Sequence, residues 1–170
     1  MTITFVGMPA SGKSCMGRAL SRKMNMKFLD GDWLIEKTVG EKLQDIINTR
    51  GLEEFKEIER TTLLTIRGGN LIISPGGSAV YYPDVMAYFK SLGPVVYLYC
   101  TPDVIIERLG DFSRRGVVLA PGQTIRDLFD ERHALYSKYA DIVVDCSGKD
   151  YPTYQRRVMA ALRHYGEMKP

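Results

Sequence analysis

The chain opens Thr2-Ile-Thr-Phe-Val6-Gly7-Met-Pro-Ala10-Ser11-Gly12-Lys13-Ser14-Cys15. Residues 2–6 are short, apolar and rich in β-branched and aromatic types, as in a strand covered on both faces. Residues 7–14 match G-x-x-x-x-G-K-[ST], and residues 13–24 carry a helical pattern, so the motif has the strand-to-helix context it requires. Glycines let the backbone wrap closely around phosphate oxygens, while backbone N–H groups and the helix N-terminus supply partial positive charge. Lys13 can then neutralise phosphate charge, and the Ser14 hydroxyl can ligate Mg²⁺. Gly7, Ala10, Ser11, Gly12, Lys13, Ser14 and Cys15 are the candidate contacts to ATP. The Cys15 thiol is a weaker donor than a hydroxyl. A chance match without a nucleotide role is the competing reading, and the position in the first βα turn counts against it.

Outward from that turn, apolar stretches recur at 26–29, 70–74, 95–100 and 141–144, with amphipathic segments between them. Helices are expected at 83–91, 102–109, 124–139 and 151–165, and over 33–67 with breaks near Gly40 and Gly51. Alternating strands and helices imply an α/β fold with five parallel strands and helices on both faces, because a parallel connection needs a crossover. A length of 170 residues, 45% hydrophobic, suits one domain over 1–170. Lysine and arginine number 23 against 20 acids, and a scattered net +3 argues for a small anionic partner, not nucleic acid or membrane. The run 3–8 lacks a basic leader and breaks at Pro9, as a buried strand and not a signal peptide would. Cys15, Cys100 and Cys146 are widely spaced and odd in number, which fits a reducing compartment, with the cytoplasm as the default.

Asp30 and Asp32 close the second strand, where residues two apart face one side, and the phosphate loop lies on the same sheet edge. One acid can hold Mg²⁺ while the other orients an acceptor hydroxyl and takes its proton. The blander alternative is that one of them, Asp32 before Asp30, merely caps the next helix. The stretch 111–123 holds Arg114 and Arg115 with two glycines and a proline. It reads as a lid over the phosphates, or else as an ordinary surface connection.

Taken in this order, the phosphate loop, D-x-D, Phe55-x-x-x-Glu59, Gly76-Gly77 and the arginine-bearing loop make the chain resemble shikimate kinase over nearly its whole length. The resemblance implies a three-layer P-loop kinase fold of strand order 2-3-1-4-5, an acceptor-binding region at about 31–62 and a lid at about 111–123. It implies that Asp30 lies on the magnesium side and that Asp32 binds the acceptor hydroxyl and acts as its base. Lys56 and Glu59 fall on the family's F-R-x-x-E, and Gly76, Gly77 and Ser78 on its G-G-G. Arg132 falls on the arginine of R-x-x-L-Y, Arg115 on the lid arginine, and Arg108 on the arginine that packs against adenine. Alone, Lys56 and Glu59 could be a solvated helix face, Gly76-Gly77 a plain turn and Arg108 a surface residue. His133 and His164 read as surface or packing residues, and Trp33 and the tyrosines as core or cleft wall.

Three departures bear on the acceptor. Lys56 stands in place of an arginine and offers a point charge where a planar fork is usual. Ser78 replaces a glycine, and Arg115-Gly-Val-Val replaces R-P-L-L. The expected activity is phosphoryl transfer from Mg-ATP to shikimate, with Lys13, Asp32 and Arg115 catalytic, in a monomer. Alternatives are a kinase for another hydroxylated acid or sugar acid, a nucleotide-binding regulatory module without turnover, and a nucleoside monophosphate kinase.

Overall fold

The computed structural model describes residues 1–110 and 117–168. Among these residues five strands form one sheet: β1 (Thr2–Val6), β2 (Lys27–Asp30), β3 (Leu71–Ser74), β4 (Val95–Tyr99) and β5 (Ile142–Asp145). Their order is β2-β3-β1-β4-β5, all neighbours parallel, as the resemblance implied. All five residues of β1 are buried, because it is the middle strand and has helices against both faces. Its Thr4 aligns with Ile73 of β3 on one side and Val95 of β4 on the other.

Eight α-helices follow in chain order among the described residues: α1 (Lys13–Lys23), α2 (Gly31–Val39), α3 (Leu43–Arg50), α4 (Leu52–Leu64), α5 (Pro83–Leu92), α6 (Pro102–Leu109), α7 (Ile125–Tyr139) and α8 (Tyr151–Met168). The stretch expected as one interrupted helix divides into α2, α3 and α4 at the foreseen glycines. Gly40 ends α2 at φ 81° and Gly51 separates α3 from α4 at φ 85°, a region where side chains other than glycine are strained. The chain leaves α4 at Leu64, three residues before the expected end, and a 3-10 turn at Ala79–Tyr81 was not foreseen.

Two apolar clusters hold these layers. The larger joins both sheet faces to α1, α5, α6, α7 and α8, with Ile3, Phe5, Leu20, Phe89 and Val158 wholly buried. The smaller, of Ile35, Ile46 and Phe55, ties α2, α3 and α4 to one another. The region after β2 is therefore built on its own small core, beside the carboxyl ends of the strands. No helix among the described residues is long and apolar enough to cross a membrane.

Candidate active site

The phosphate loop bulges because of its backbone. A Cβ on Gly7 would fall 2.8 Å from the Leu98 carbonyl, so the loop lies against β4 only with glycine there. Ala10 holds φ at 66°, a strained conformation for an L residue that costs on the order of 1–3 kcal/mol. Lys13 Nζ donates to the Gly7 and Met8 carbonyls, both at 2.8 Å, and so braces the loop from inside. Burial lowers the Lys13 pKa to about 8, against the pull of the Asp32 carboxylate.

Ser14 Oγ donates to Asp30 Oδ2 at 2.8 Å. The other Asp30 oxygen accepts from the N–H groups of Asp32 and Trp33, at 3.1 and 3.3 Å, and caps α2. The helix cap is thus Asp30, where Asp32 seemed the readier candidate. The two acids are not paired by the alternation of one strand, as the sequence suggested. Strand β2 ends at Asp30 and Asp32 sits in the first turn of α2, so the cap, not strand alternation, brings both to the cleft. Capping uses one Asp30 oxygen and leaves the second beside the Ser14 hydroxyl. Two hard oxygen donors side by side fit a small divalent cation such as Mg²⁺.

Asp32 lies in a cleft of about 970 Å³ that runs from Lys13 to α3 and α4. Burial raises its pKa from 3.8 to about 6, with Asp30 and Glu59 adding to the rise and Lys13 opposing it. Glu59 is 1% exposed, so it is not a solvated face. Its carboxylate accepts from Ser78 Oγ at 2.7 and 2.9 Å and from the Tyr82 hydroxyl at 2.6 Å. The Ser78 side chain is therefore turned onto Glu59 and acts as its donor. Burial raises the Glu59 pKa, while the hydrogen bonds from Tyr82 and Ser78 work the other way.

The Gly76-Gly77 turn is packed against charge. A Cβ on Gly76 would lie 2.8 Å from Asp32 Oδ1 and 3.1 Å from Glu59 Oε1, and one on Gly77 2.9 Å from Arg132 Nη1. The Tyr136 hydroxyl donates to the Gly77 carbonyl at 2.7 Å. Arg132 is itself buried in α7; its Nε donates to the Tyr81 hydroxyl at 3.3 Å, and its guanidinium lies over the Tyr81 ring. The turn lines the cleft and packs against its charged side chains, which the twin glycines alone did not reveal.

Lys56 lines the cleft but its ammonium pairs with Glu53 at 2.8 Å on the solvent side, so the solvated-face alternative holds in part for this residue. Arg108 is not a free surface residue. It donates to the carbonyls of Ala10 (3.4 Å), Cys146 (3.1 Å) and Gly148 (3.2 Å), joining the phosphate loop to the turn before α8. It borders a second cavity of about 580 Å³, and Ala10, Gly12 and Cys15 line both cavities. Trp33 is 52% exposed and stacked under Lys37, neither core nor cleft wall. His133 packs flat against Phe129, 5.5 Å between centroids. Arg114 and Arg115 lie outside the described residues. Reading the sequence alone did not single out Tyr81, Tyr82 and Glu131 for the site; only the place of the two tyrosines just after the Gly-Gly turn pointed that way.

A basic glycine loop, two neighbouring oxygen donors, a carboxyl with a raised pKa and a buried guanidinium thus open into one cleft. The model of the shikimate kinase family matches residues 9–163 of the chain. The chain belongs to the shikimate kinase family. It is a phosphotransferase of the kind that uses an alcohol acceptor. It is 35% identical over 148 residues to shikimate kinase from a Sulfurihydrogenibium species, covering 86% of this chain and 89% of that one. The crystal structure of shikimate kinase from Aquifex aeolicus superposes with a TM-score of 0.84 at 31% identity, covering 98% of each chain. The solved structure of shikimate kinase from Acinetobacter baumannii in complex with shikimate superposes with a TM-score of 0.87 at 27% identity, covering 99% of this chain and 95% of that one.

Proposed function

We propose that this family member transfers the γ-phosphoryl group of ATP to a hydroxyl of shikimate, giving 3-phosphoshikimate and ADP. The observation that carries the reading is Asp32: a carboxyl with pKa about 6, set in one cleft with the Lys13 loop on one side and Glu59, the Gly76-Gly77 turn and Arg132 on the other. A base in that range is largely ionised at neutral pH and still able to take a hydroxyl proton as the transfer proceeds. The loop residues Gly7, Ala10, Ser11, Gly12, Lys13, Ser14 and Cys15 would take the phosphates, and Arg108 would wall the base side through the second cavity. Ser14 and Asp30 would hold Mg²⁺, which would supply neutralisation of the phosphate charge.

Lys13 donates to its own loop carbonyls, contacts it would exchange for phosphate oxygens. Arg132, with Lys56 after release from Glu53, would hold the acceptor carboxylate. Glu59, Gly76, Gly77 and Ser78 would shape the floor under it. Arg115 is assigned the lid role that its place in the sequence suggests. The reading takes the protein as one domain over 1–170, with the acceptor region at about 31–62 and the lid at about 111–123, working as a cytoplasmic monomer.

The experiment is an ADP-release assay with Mg-ATP and shikimate, run beside quinate, gluconate and nucleoside monophosphates, with the product mass determined. Selective turnover of shikimate is expected. Preference for another acceptor would move the assignment to that acid, and ATP binding without any turnover would replace the kinase by a binding module.

A further inference from the structure

Glu131 stands one residue before Arg132 on α7, and its two carboxylate oxygens face different parts of the cleft wall. One accepts from the Tyr81 hydroxyl at 2.8 Å, and Tyr81 in turn meets Arg132 Nε at 3.3 Å. The other accepts from Gln123 Nε2 at 3.2 Å. Gln123 also folds its own segment, since its Oε1 accepts from the Ala120 N–H at 3.1 Å and its N–H donates to the Ala120 carbonyl at 2.9 Å. Val117, Val118, Leu119 and Ala120, just ahead of it, line the same cleft, facing the apolar wall that α3 and α4 present through Ile47, Leu52 and Phe55.

We infer that Glu131 is a positioning residue that couples the wall formed by 117–123 to the Arg132 guanidinium through Tyr81. A carboxylate with two oxygens can serve both partners at once, and a hydrogen bond to a charged acceptor is stronger than one between neutral groups. The Tyr81 hydroxyl fixes the direction of Nε, and the ring under the guanidinium fixes its plane. The fork of Arg132 is thereby aimed while the apolar wall is held at a set distance from it. The consequence is for recognition of the acceptor acid more than for phosphoryl transfer, and it rests on the reading of Arg132 as the carboxylate-binding residue.

Two measurements separate the coupling from that reading. Amide hydrogen exchange on the ligand-free protein needs no acceptor: Glu131→Ala and Tyr81→Phe should each speed exchange at Ala120 and Gln123 by about fivefold or more, because local opening follows the loss of the contacts that hold a segment. The Tyr81 effect is the diagnostic one, since its hydroxyl reaches that segment through Glu131. Unchanged exchange in both variants overturns the coupling whatever the acceptor proves to be. In steady-state assays, Glu131→Ala should raise KM for the acceptor about 5- to 20-fold with kcat and KM for ATP within about threefold, and Tyr81→Phe combined with Gln123→Ala should be less than additive. Additive effects, or equal loss of kcat with every acceptor, overturn it. Normal coupling by exchange with an unchanged acceptor KM would remove the Arg132 reading instead.

Discussion

At Asp32 function and stability pull in opposite directions. Its carboxyl is raised from 3.8 to about 6 chiefly by burial, so above pH 6 the folded protein holds an ionised group in a site that disfavours charge. Asp32→Asn should lower kcat by about 100- to 10,000-fold, the usual worth of a general base, with ATP affinity nearly intact. Near-normal turnover in that variant would remove Asp32 as the base. The sign for stability follows from linkage. The folded state holds the Asp32 proton more tightly than the unfolded chain does, so the stabilising contribution of this group is full below 3.8 and is lost as pH rises through about 6. Asparagine carries no such charge, and the variant should exceed the parent in unfolding free energy at pH 7.5, by a margin that solvent reaching the exposed Asp32 side chain reduces and that shrinks toward pH 5. Urea titrations at the two pH values read this directly, and equal differences at both would mean that burial of charge is not the source.

Lys13 supplies the opposite limb. The proposed reaction would need Asp32 ionised and Lys13 protonated, and their pKa values of about 6 and about 8 bracket neutral pH. The profile of kcat/KM against pH, which reports the free enzyme, should rise through about 6 and fall through about 8. An Asp32→Asn variant with residual activity that keeps the acidic limb would assign that limb elsewhere.

Among the elements, α7 brings Leu128, Glu131 and Arg132 to the cleft. One helix carries Arg132 and Tyr136 against the Gly76-Gly77 turn and Glu131 against Tyr81 and Gln123. Its start is set by a capping box: Thr124 Oγ1 accepts from the Asp127 N–H at 3.1 Å, and Asp127 Oδ2 accepts from the Thr124 N–H at 2.8 Å. Thr124→Ala should cost about 1 kcal/mol in unfolding free energy, with little change in kcat, because Leu128, Phe129 and Tyr136 keep the helix seated in the core. Chemical denaturation beside a turnover assay checks it, and a loss of kcat without loss of stability would show that the cap sets the register of Arg132. The boundaries of α2 illustrate how an element can mislead when read locally. Asp30 and Asp32 look alike in the sequence, and only the fold shows that one caps the helix with one oxygen while offering the other to Ser14.

For the molecule as a whole, the sheet and the small α2–α4 core meet along the edge where the phosphate loop opens, so ligand binding there should stabilise both parts at once. Mg-ATP at about 100 times its dissociation constant should add about 2.7 kcal/mol and raise the thermal midpoint accordingly. Shikimate added to the nucleotide complex should raise it again, and a midpoint indifferent to Mg-ATP would remove the nucleotide reading altogether.

The α/β class, the five strands, the phosphate loop and the helix breaks at Gly40 and Gly51 were legible in the chain itself. Each depends on local regularities: apolar runs of strand length, a glycine loop between strand and helix, and a backbone conformation that favours glycine. The strand order and the identity of Arg132 and Glu59 as candidates came from the ordered set of motifs. What those residues touch lay beyond it. That Ser78 and Tyr82 serve Glu59, that Tyr136 donates to the Gly77 carbonyl and that Tyr81 donates to Glu131 are pairings between segments far apart in the chain. Local pattern carries no record of such partners. They are decided when packing of the sheet and helices removes water from one cleft, and each buried charge must then find its donor among whatever the fold has brought beside it.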